Sequence, residues 1–386
     1  MNSVSIGLIV NPVAGLGGPA GQKGSDAANI REIASQAGYP MTSPARARRA
    51  AKQLVSLLAH TGRELHILTG HGLLGENAVK DLCRTTVLGT GTGITSSGDT
   101  RTLAALVVDA GVDLLVFAGG DGTARDVLDA VGGRIPVLGI PAGVKIYSAV
   151  FALTPVAAGS TAAAWLADSG RATAQRDVVD IDEDLLRAGL ASPTLYGTLD
   201  VPVDPTRLQA RKAATPASDA NAVAALARAF VRGMEPEHSY ILGPGGTTNA
   251  IGRELGLATT RLGVDVVRNG ALLATDVDAH SLESVVDGTA ATVVLTPLGG
   301  QGFVVGRGNQ QITARLLARH PLQIVATDGK LASLAGRPLW VDSGDDDVDA
   351  RLSGYARVFT GAGTHTVYPV RRVFEETQGT TKTKEH

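Results

Sequence analysis

The sequence predicts an α/β protein: an N-terminal doubly wound parallel-sheet domain, followed by a β-rich α+β second domain. Three observations predict it. Up to about residue 170, short apolar runs alternate with segments whose apolar residues recur at helical spacing. Beyond that point the grammar changes to short β-rich runs. The chain has 386 residues, more than the roughly 250–300 that a single core supports. The expected division is 1–170, 171–345, and a segment 346–375 that returns toward the first domain.

In chain order, Val4 to Val10 reads as a strand and opens into the loop Asn11 to Gly18. Helical patterns follow near Asp26 to Ala37 and Ala45 to Ala59, then a strand over Glu64 to Leu68. A short helix over Glu76 to Cys83 leads to a strand at Thr85 to Leu88, and a Gly/Thr/Ser loop leads to a helix over Thr100 to Ala110. The fourth strand, Val112 to Ala118, is almost wholly apolar, as a strand buried on both faces must be. A helix over Ala124 to Val131 and a fifth strand over Ile135 to Leu138 complete the alternation. In the second half, strands are expected at Asp177 to Ile181, Thr194 to Val201, Leu262 to Val267 and Thr292 to Thr296. A Pro/Ala/Thr-rich connection spans Pro202 to Ser218.

The most informative stretch is Gly119-Gly120-Asp121-Gly122-Thr123, on the turn from the fourth strand into its helix. Ligands of open α/β sheets bind at such carboxyl ends. Glycines allow close backbone approach and expose N–H groups, and the helix end favours an anion. A carboxylate there repels phosphate unless it binds a metal or takes a proton, which points to phosphoryl transfer. A tight hairpin turn is the bland alternative, but a helix pattern follows instead of a strand.

Bulk composition narrows the classes. With 35 basic and 37 acidic residues, no charge excess points to nucleic acid or a membrane surface, and aromatics make up only 4%. Cys83 is the only cysteine, which excludes an intrachain disulfide and a multi-cysteine zinc site. Together with a start that lacks a secretory pattern, this fits a cytoplasmic location. No run approaches 18 apolar residues.

Other loops compete for the chemistry. Lys23 lies among glycines but precedes Gly24, so it fails as a Walker A loop. Lys145, beside Gly143 just past the fifth strand, is placed to meet a phosphate, although a surface lysine explains it equally. Gly245, Gly246, Thr247, Thr248 and Asn249 open a helix after Tyr240 to Leu242, a plausible phosphate or ribose cradle or simply a capped turn. The glycine-rich run with Arg307 and Asn309 offers amides and one guanidinium. Asp345, Asp347 and Asp349 fail as a calcium loop because Ala350 stands where glycine is needed. No metal ligands are assigned.

With these residues in view, the chain resembles the ATP-NAD kinase family, in the branch of predicted polyphosphate- or ATP-dependent NAD kinases that includes acetoin-catabolism-associated relatives. The resemblance rests on Asn11-Pro12, AGLGGPAGQKGSD (Ala14 to Asp26), Ser97-Gly98-Asp99-Thr100, VFAGGDGTARDV (Val116 to Val127) and GIPAGVKIYSAVFA (Gly139 to Ala152). It continues through LYGTLDVP (Leu195 to Pro202), GPGGTTNAI (Gly243 to Ile251), LGVDVV (Leu262 to Val267) and GGQGFVVGRGNQQI (Gly299 to Ile312). It implies a first domain like those of NAD and diacylglycerol kinases, with substrates in the cleft between the two domains. It implies that Asp121 deprotonates a hydroxyl, foremost the 2′-hydroxyl of NAD, as it attacks the terminal phosphoryl group of ATP, with Mg²⁺ and a cation such as Lys145 assisting.

On the same footing, Asn11, Gly119, Gly120, Gly122, Thr123 and Gly143 are expected to hold the nucleotide phosphates. Lys23, Asp99, Tyr196, Asp265, Arg307, Asn309 and the 245–249 loop are expected to bind substrate. Homo-oligomers are also implied. The Asn-Glu or Asn-Asp pair that grips the dinucleotide in typical NAD kinases is absent, and the nearest region reads Tyr196-Gly197-Thr198. Another small hydroxylated metabolite as acceptor, or a non-catalytic nucleotide-binding regulator, therefore stands beside NAD.

Overall fold

The computed structural model describes residues 3–21, 30–89, 95–144, 146–168, 170–180, 194–203, 220–361 and 364–373. In the first half the strands are β1 (Ser3–Val10), β2 (Glu64–Gly70), β3 (Arg84–Leu88), β4 (Leu114–Gly119) and β5 (Val137–Pro141). The helices between them are α1 (Ile30–Gln36), α2 (Thr42–Ala59), α3 (Glu76–Val79), α4 (Ser97–Asp109) and α5 (Asp121–Val131), and α6 (Pro155–Ala167) follows β5. The five strands form a parallel sheet in the order β3-β2-β1-β4-β5.

Strand order reverses between β1 and β4, so the loops leaving these neighbours diverge and open a crevice at their carboxyl ends. Phe117, Leu114, Ile9 and Ile67 are fully buried between the helix layers, as the apolar runs require. The hairpin β6 (Thr173–Asp180) and β7 (Thr194–Pro202) packs Val178, Leu199 and Val201 into this same core.

The second half begins with α7 (Ala220–Arg232), β8 (Ser239–Leu242), α8 (Gly246–Glu254), β9 (Asp265–Arg268) and β10 (Ala271–Ala274). It continues with α9 (Ala279–Val286), β11 (Ala291–Leu295), α10 (Ala314–Arg319) and β12 (Leu322–Ile324). Last come α11 (Asp328–Ala332), β13 (Leu339–Val341), α12 (Asp346–Leu352), β14 (Gly354–Gly361) and β15 (Thr364–Arg372).

Its main sheet runs β10-β9-β8-β11-β12, with β8, β11 and β12 mutually parallel and β9 and β10 antiparallel. A second crevice therefore opens where the loops after β8 and β11 part. Strands β13, β15 and β14 form a small separate sheet whose Val358 and Val370 join the second core. The 346–375 segment was expected to return toward the first domain. Its described strands pack on the second core, while Asp346 reaches back to Arg49 at 2.7 Å.

The two halves meet along the segment after β5. Gly308 N and Gln310 Nε2 donate to the Val144 carbonyl at 3.0 and 3.1 Å, and Arg307 Nη2 donates to the Leu153 carbonyl at 2.8 Å. Arg46 of α2 pairs with the buried Asp342 at 2.7 Å. The glycine-rich run at 299–310 is thus an inter-half clamp that fixes where each crevice lies relative to the other.

Candidate active site

At the first crevice the loops are held by backbone contact. Asn11 continues β1 by donating its N–H to the Ala118 carbonyl at 2.9 Å, and its Nδ2 donates to Thr123 Oγ1 at 3.0 Å. A Cβ on Gly119 would fall 2.4 Å from the Thr123 side chain, so only glycine lets the helix start fold back on its strand. Ala142 N and Gly143 N both donate to the Gly119 carbonyl, at 2.9 and 3.0 Å. The Asp121 loop and the loop after β5 are one packed unit.

Asp121 is the first residue of α5, only 6% exposed, in the helix turn that attracts negative charge. Its Oδ2 accepts the backbone N–H of Tyr147 at 2.7 Å, and its Oδ1 accepts that of Ser148 at 2.9 Å. Burial nevertheless pushes its carboxyl up to about 7, against the lowering effect of the hydrogen bonds from Ser148 and Tyr147. The nearby negative charge of Asp180 adds to the rise. Among the described residues Asp121 forms no ion pair. The arrangement is an oriented carboxyl group poised to exchange a proton near neutral pH.

The neighbouring cavity, of about 730 Å³, lies at the second crevice and reaches Tyr147, the residue that orients Asp121. Gly245, Gly246 and Thr247 form one wall at the start of α8, where no side chain caps the helix. Arg307 and Asn309 from the inter-half clamp line it as well. Asp265 is buried and accepts from Thr260 N at 2.6 Å and Asp276 N at 2.9 Å. It thereby shapes the loop bearing Arg261 and Leu262, which line the cavity. Asn249 braces the same region, its Nδ2 donating to the Thr259 carbonyl at 2.9 Å. Thr248 is buried and donates to the Gly245 carbonyl at 3.0 Å.

Other expected site residues fall elsewhere. Asp99 closes a capping box on α4: its Oδ2 accepts from Ser96 N at 2.7 Å and Ser96 Oγ at 2.8 Å, so the helix start occupies it. Tyr196 is half-exposed on β7, outside the cavity lining, with the Arg125 guanidinium 5.3 Å from its ring centre. Arg125 itself pairs with Asp180 at 3.2 Å. Lys23 and Lys145 lie outside the described residues.

Several residues of the site escape the sequence reading. Tyr147 and Ser148 act through backbone N–H groups, which no side-chain motif announces. Lys330 of α11 lines the cavity and donates from Nζ to Thr296 Oγ1 at 2.8 Å, yet it reads as an ordinary helix lysine. Gln301 is buried in the cavity wall, with its Nε2 donating to the Ile146 carbonyl at 3.4 Å. Its glycine-rich surroundings read only as a bend.

Among the described residues no helix is long and apolar enough to cross a membrane. No curated protein matches the chain. The family model for the ATP-NAD kinase N-terminal domain matches residues 6–169, and that for the ATP-NAD kinase C-terminal domain matches residues 235–370. The first span holds the Asp121 loop and the second the cavity walls at α8 and Arg307. Sheet order, loop chemistry and both family models agree: this chain is a kinase that belongs to the ATP-NAD kinase family.

Proposed function

We propose that the protein transfers the terminal phosphoryl group of ATP to the 2′-hydroxyl of NAD, with Asp121 as general base. The observation that carries this reading is the Asp121 carboxyl itself, buried at a helix start, fixed by two backbone N–H donors and titrating near 7. A base with that affinity accepts the hydroxyl proton as the oxygen attacks phosphorus, an effect worth roughly 10²–10⁴-fold. The bond to the ATP leaving oxygen breaks, and ADP departs with its charge. Positioning and charge stabilisation supply most of the remaining rate. Gly119, Gly120, Gly122, Thr123 and Gly143 are the loop residues that would hold the nucleotide phosphates, with Asn11 bracing Thr123.

Magnesium fits this site as a companion of the donor. Among the described residues no group of three or more His, Cys, Asp or Glu could cage a metal. Kinase magnesium typically uses one or two carboxylates and completes its shell with phosphates and water. Asp180, near Asp121 and paired with Arg125, is the carboxylate that would hold it beside the donor phosphates, leaving Asp121 to act as base. When bound it neutralises phosphate oxygens; the residues above do the orienting and the proton transfer.

The base lies in the first half, while most of the cavity lining comes from residue 220 onward, with Ile146 and Tyr147 joining from the first half. A reading with a different small hydroxylated acceptor keeps a specific basis, since Tyr196 stands on an exposed hairpin and no Asn-Glu pair is present to grip a dinucleotide. Incubating the purified protein with ATP and Mg²⁺, and separately with polyphosphate, against NAD and a panel of polyols and sugars decides between them. NADP formation at a rate above all other acceptors supports the proposal. ATP consumption with another acceptor and none with NAD refutes it.

A further inference from the structure

The two N–H groups that orient Asp121 come from Tyr147 and Ser148, in the connection between β5 and α6. Just after these donors the connection is tied to the first half. Ala149 N donates to the Asp177 carbonyl at 3.0 Å, and Ser148 Oγ donates to the Val179 carbonyl at 2.9 Å. Ahead of them the anchors come from the second half. The Val144 carbonyl accepts from Gly308 N at 3.0 Å and from Gln310 Nε2 at 3.1 Å, and the Ile146 carbonyl accepts from Gln301 Nε2 at a longer 3.4 Å. At the far end, Arg307 Nη2 donates to the Leu153 carbonyl at 2.8 Å. The donors to Asp121 therefore stand on a segment gripped from both halves.

Stability alone does not account for the side chains at its two ends. Gln310 is half-buried and divides Nε2 between the carbonyls of Val144 and Gly306, the latter at 3.3 Å. Its Oε1 is buried with no hydrogen-bond partner among the described residues, and so is Arg307 Nη1. Buried polar atoms left without partners cost stability, and apolar residues of similar size in such places are often no less stable. What an apolar residue cannot supply is a directional tie to the Val144 and Leu153 carbonyls. Gln310 stands outside the cavity lining, packed against the loop after β1, where a Cβ on Gly18 would fall 2.8 Å from the Gln310 Cβ. Its printed partners are backbone groups near Asp121, so its role is with the protein and not with a ligand in the cavity.

We infer that Gln310, with Arg307 at the far end, is a positioning residue for Asp121: it sets the connection between β5 and α6 so that the Tyr147 and Ser148 N–H groups aim the carboxyl at the acceptor hydroxyl. The inference rests on the reading of Asp121 as general base. It makes the alignment of that base, which lies in the first half, depend on side chains of the second. Displacing a reacting group by about 1 Å costs on the order of 100-fold in rate, so one amide hydrogen bond at this place carries a kinetic effect.

Gln310→Met keeps the side-chain length and removes the donor. Single-turnover transfer from ATP to NAD on the full chain should slow about 10–100-fold in this variant, with ATP and NAD affinities by calorimetry changed less than about twofold. Added to Asp121→Asn, the same substitution should bring no further slowing, because two residues that act through one group are not additive. A readout apart from activity comes from ¹⁵N-tyrosine labelling at pH 8. The Tyr147 amide proton should move upfield in Gln310→Met, in the direction that Asp121→Asn moves it. Arg49→Gln removes the inter-half ion pair with Asp346 and leaves the connection alone, so it should slow transfer less than about twofold. A wild-type rate in folded Gln310→Met, equal slowing in the Asp121→Asn background, an unmoved Tyr147 resonance, or equal slowing in Arg49→Gln overturns the inference. Should Gln310→Met fail to fold, Arg307→Met enters the same cycle and decides. A Tyr147 resonance that moves with Gln310, alongside equal transfer in wild type and Asp121→Asn, would sink the base reading and leave the carboxyl's dependence on Gln310 standing.

Discussion

Gly120 and Gly143 touch through their backbones: a Cβ on Gly143 would lie 2.7 Å from the Gly120 Cα. The loop that carries Asp121 and the loop that supplies its hydrogen-bond donors are therefore spaced by the absence of two side chains. Gly143→Ala must push backbone against backbone, and overpacking of this kind costs about 1–3 kcal/mol. Thermal unfolding should show a drop of several degrees for Gly143→Ala, with reduced turnover. Gly246, with open space where its Cβ would sit, provides the contrast: Gly246→Ala should leave the unfolding temperature unchanged.

A second prediction concerns the pH dependence of turnover. With Asp121 pushed up to about 7, mainly by burial, the base is available only once its proton has left. The kcat of the wild type should rise with pH and approach its plateau above an inflection near 7. Ser148→Ala should move that inflection upward, because the Ser148 hydroxyl, engaged with Val179, fixes the segment whose backbone N–H groups hold the carboxyl down. The same hydroxyl donates to the Val179 carbonyl at 2.9 Å and accepts from Val179 N at 3.0 Å. The variant should therefore also lose about 1–3 kcal/mol of stability. A pH profile with the same inflection in both proteins would contradict the assignment.

Stability must run the other way. The folded protein keeps the Asp121 proton up to about 7, whereas the unfolded chain gives it up near 3.8. The unfolded state then binds fewer protons across that window, so stability from this group is whole below about pH 4 and is lost as pH rises through 7. The full swing is on the order of 4 kcal/mol. Urea denaturation at pH 5 and pH 8 should show a larger fall for the wild type than for Asp121→Asn. The activity gained by ionising Asp121 is thus opposed by a loss of stability, as expected of a group kept for chemistry and not for folding.

Much of this was legible in the sequence, and the limits were physical. The strand–loop–helix around Asp121 is contiguous, so an apolar run, glycines and a helical repeat sufficed to place it. The parallel pairing of β8, β11 and β12 was not legible, because strands of three to five residues announce β structure without stating direction. Asp99 carried a local signal that explains it, since Ser96 and Asp99 have capping-box spacing. The Arg307–Leu153 bond joins residues 154 apart, and the hydrogen bonds from Tyr147 and Ser148 come from the backbone. Such long-range and main-chain contacts leave no trace in motif spacing.

The central claim is that one carboxyl, Asp121, takes the acceptor's proton during phosphoryl transfer. Single-turnover transfer from ATP to NAD at pH 8, in wild type and Asp121→Asn with matched folding, measures it most directly. The account predicts a rate constant roughly 10²–10⁴-fold lower in the variant, with nucleotide binding retained. Equal rate constants in the two proteins would contradict it.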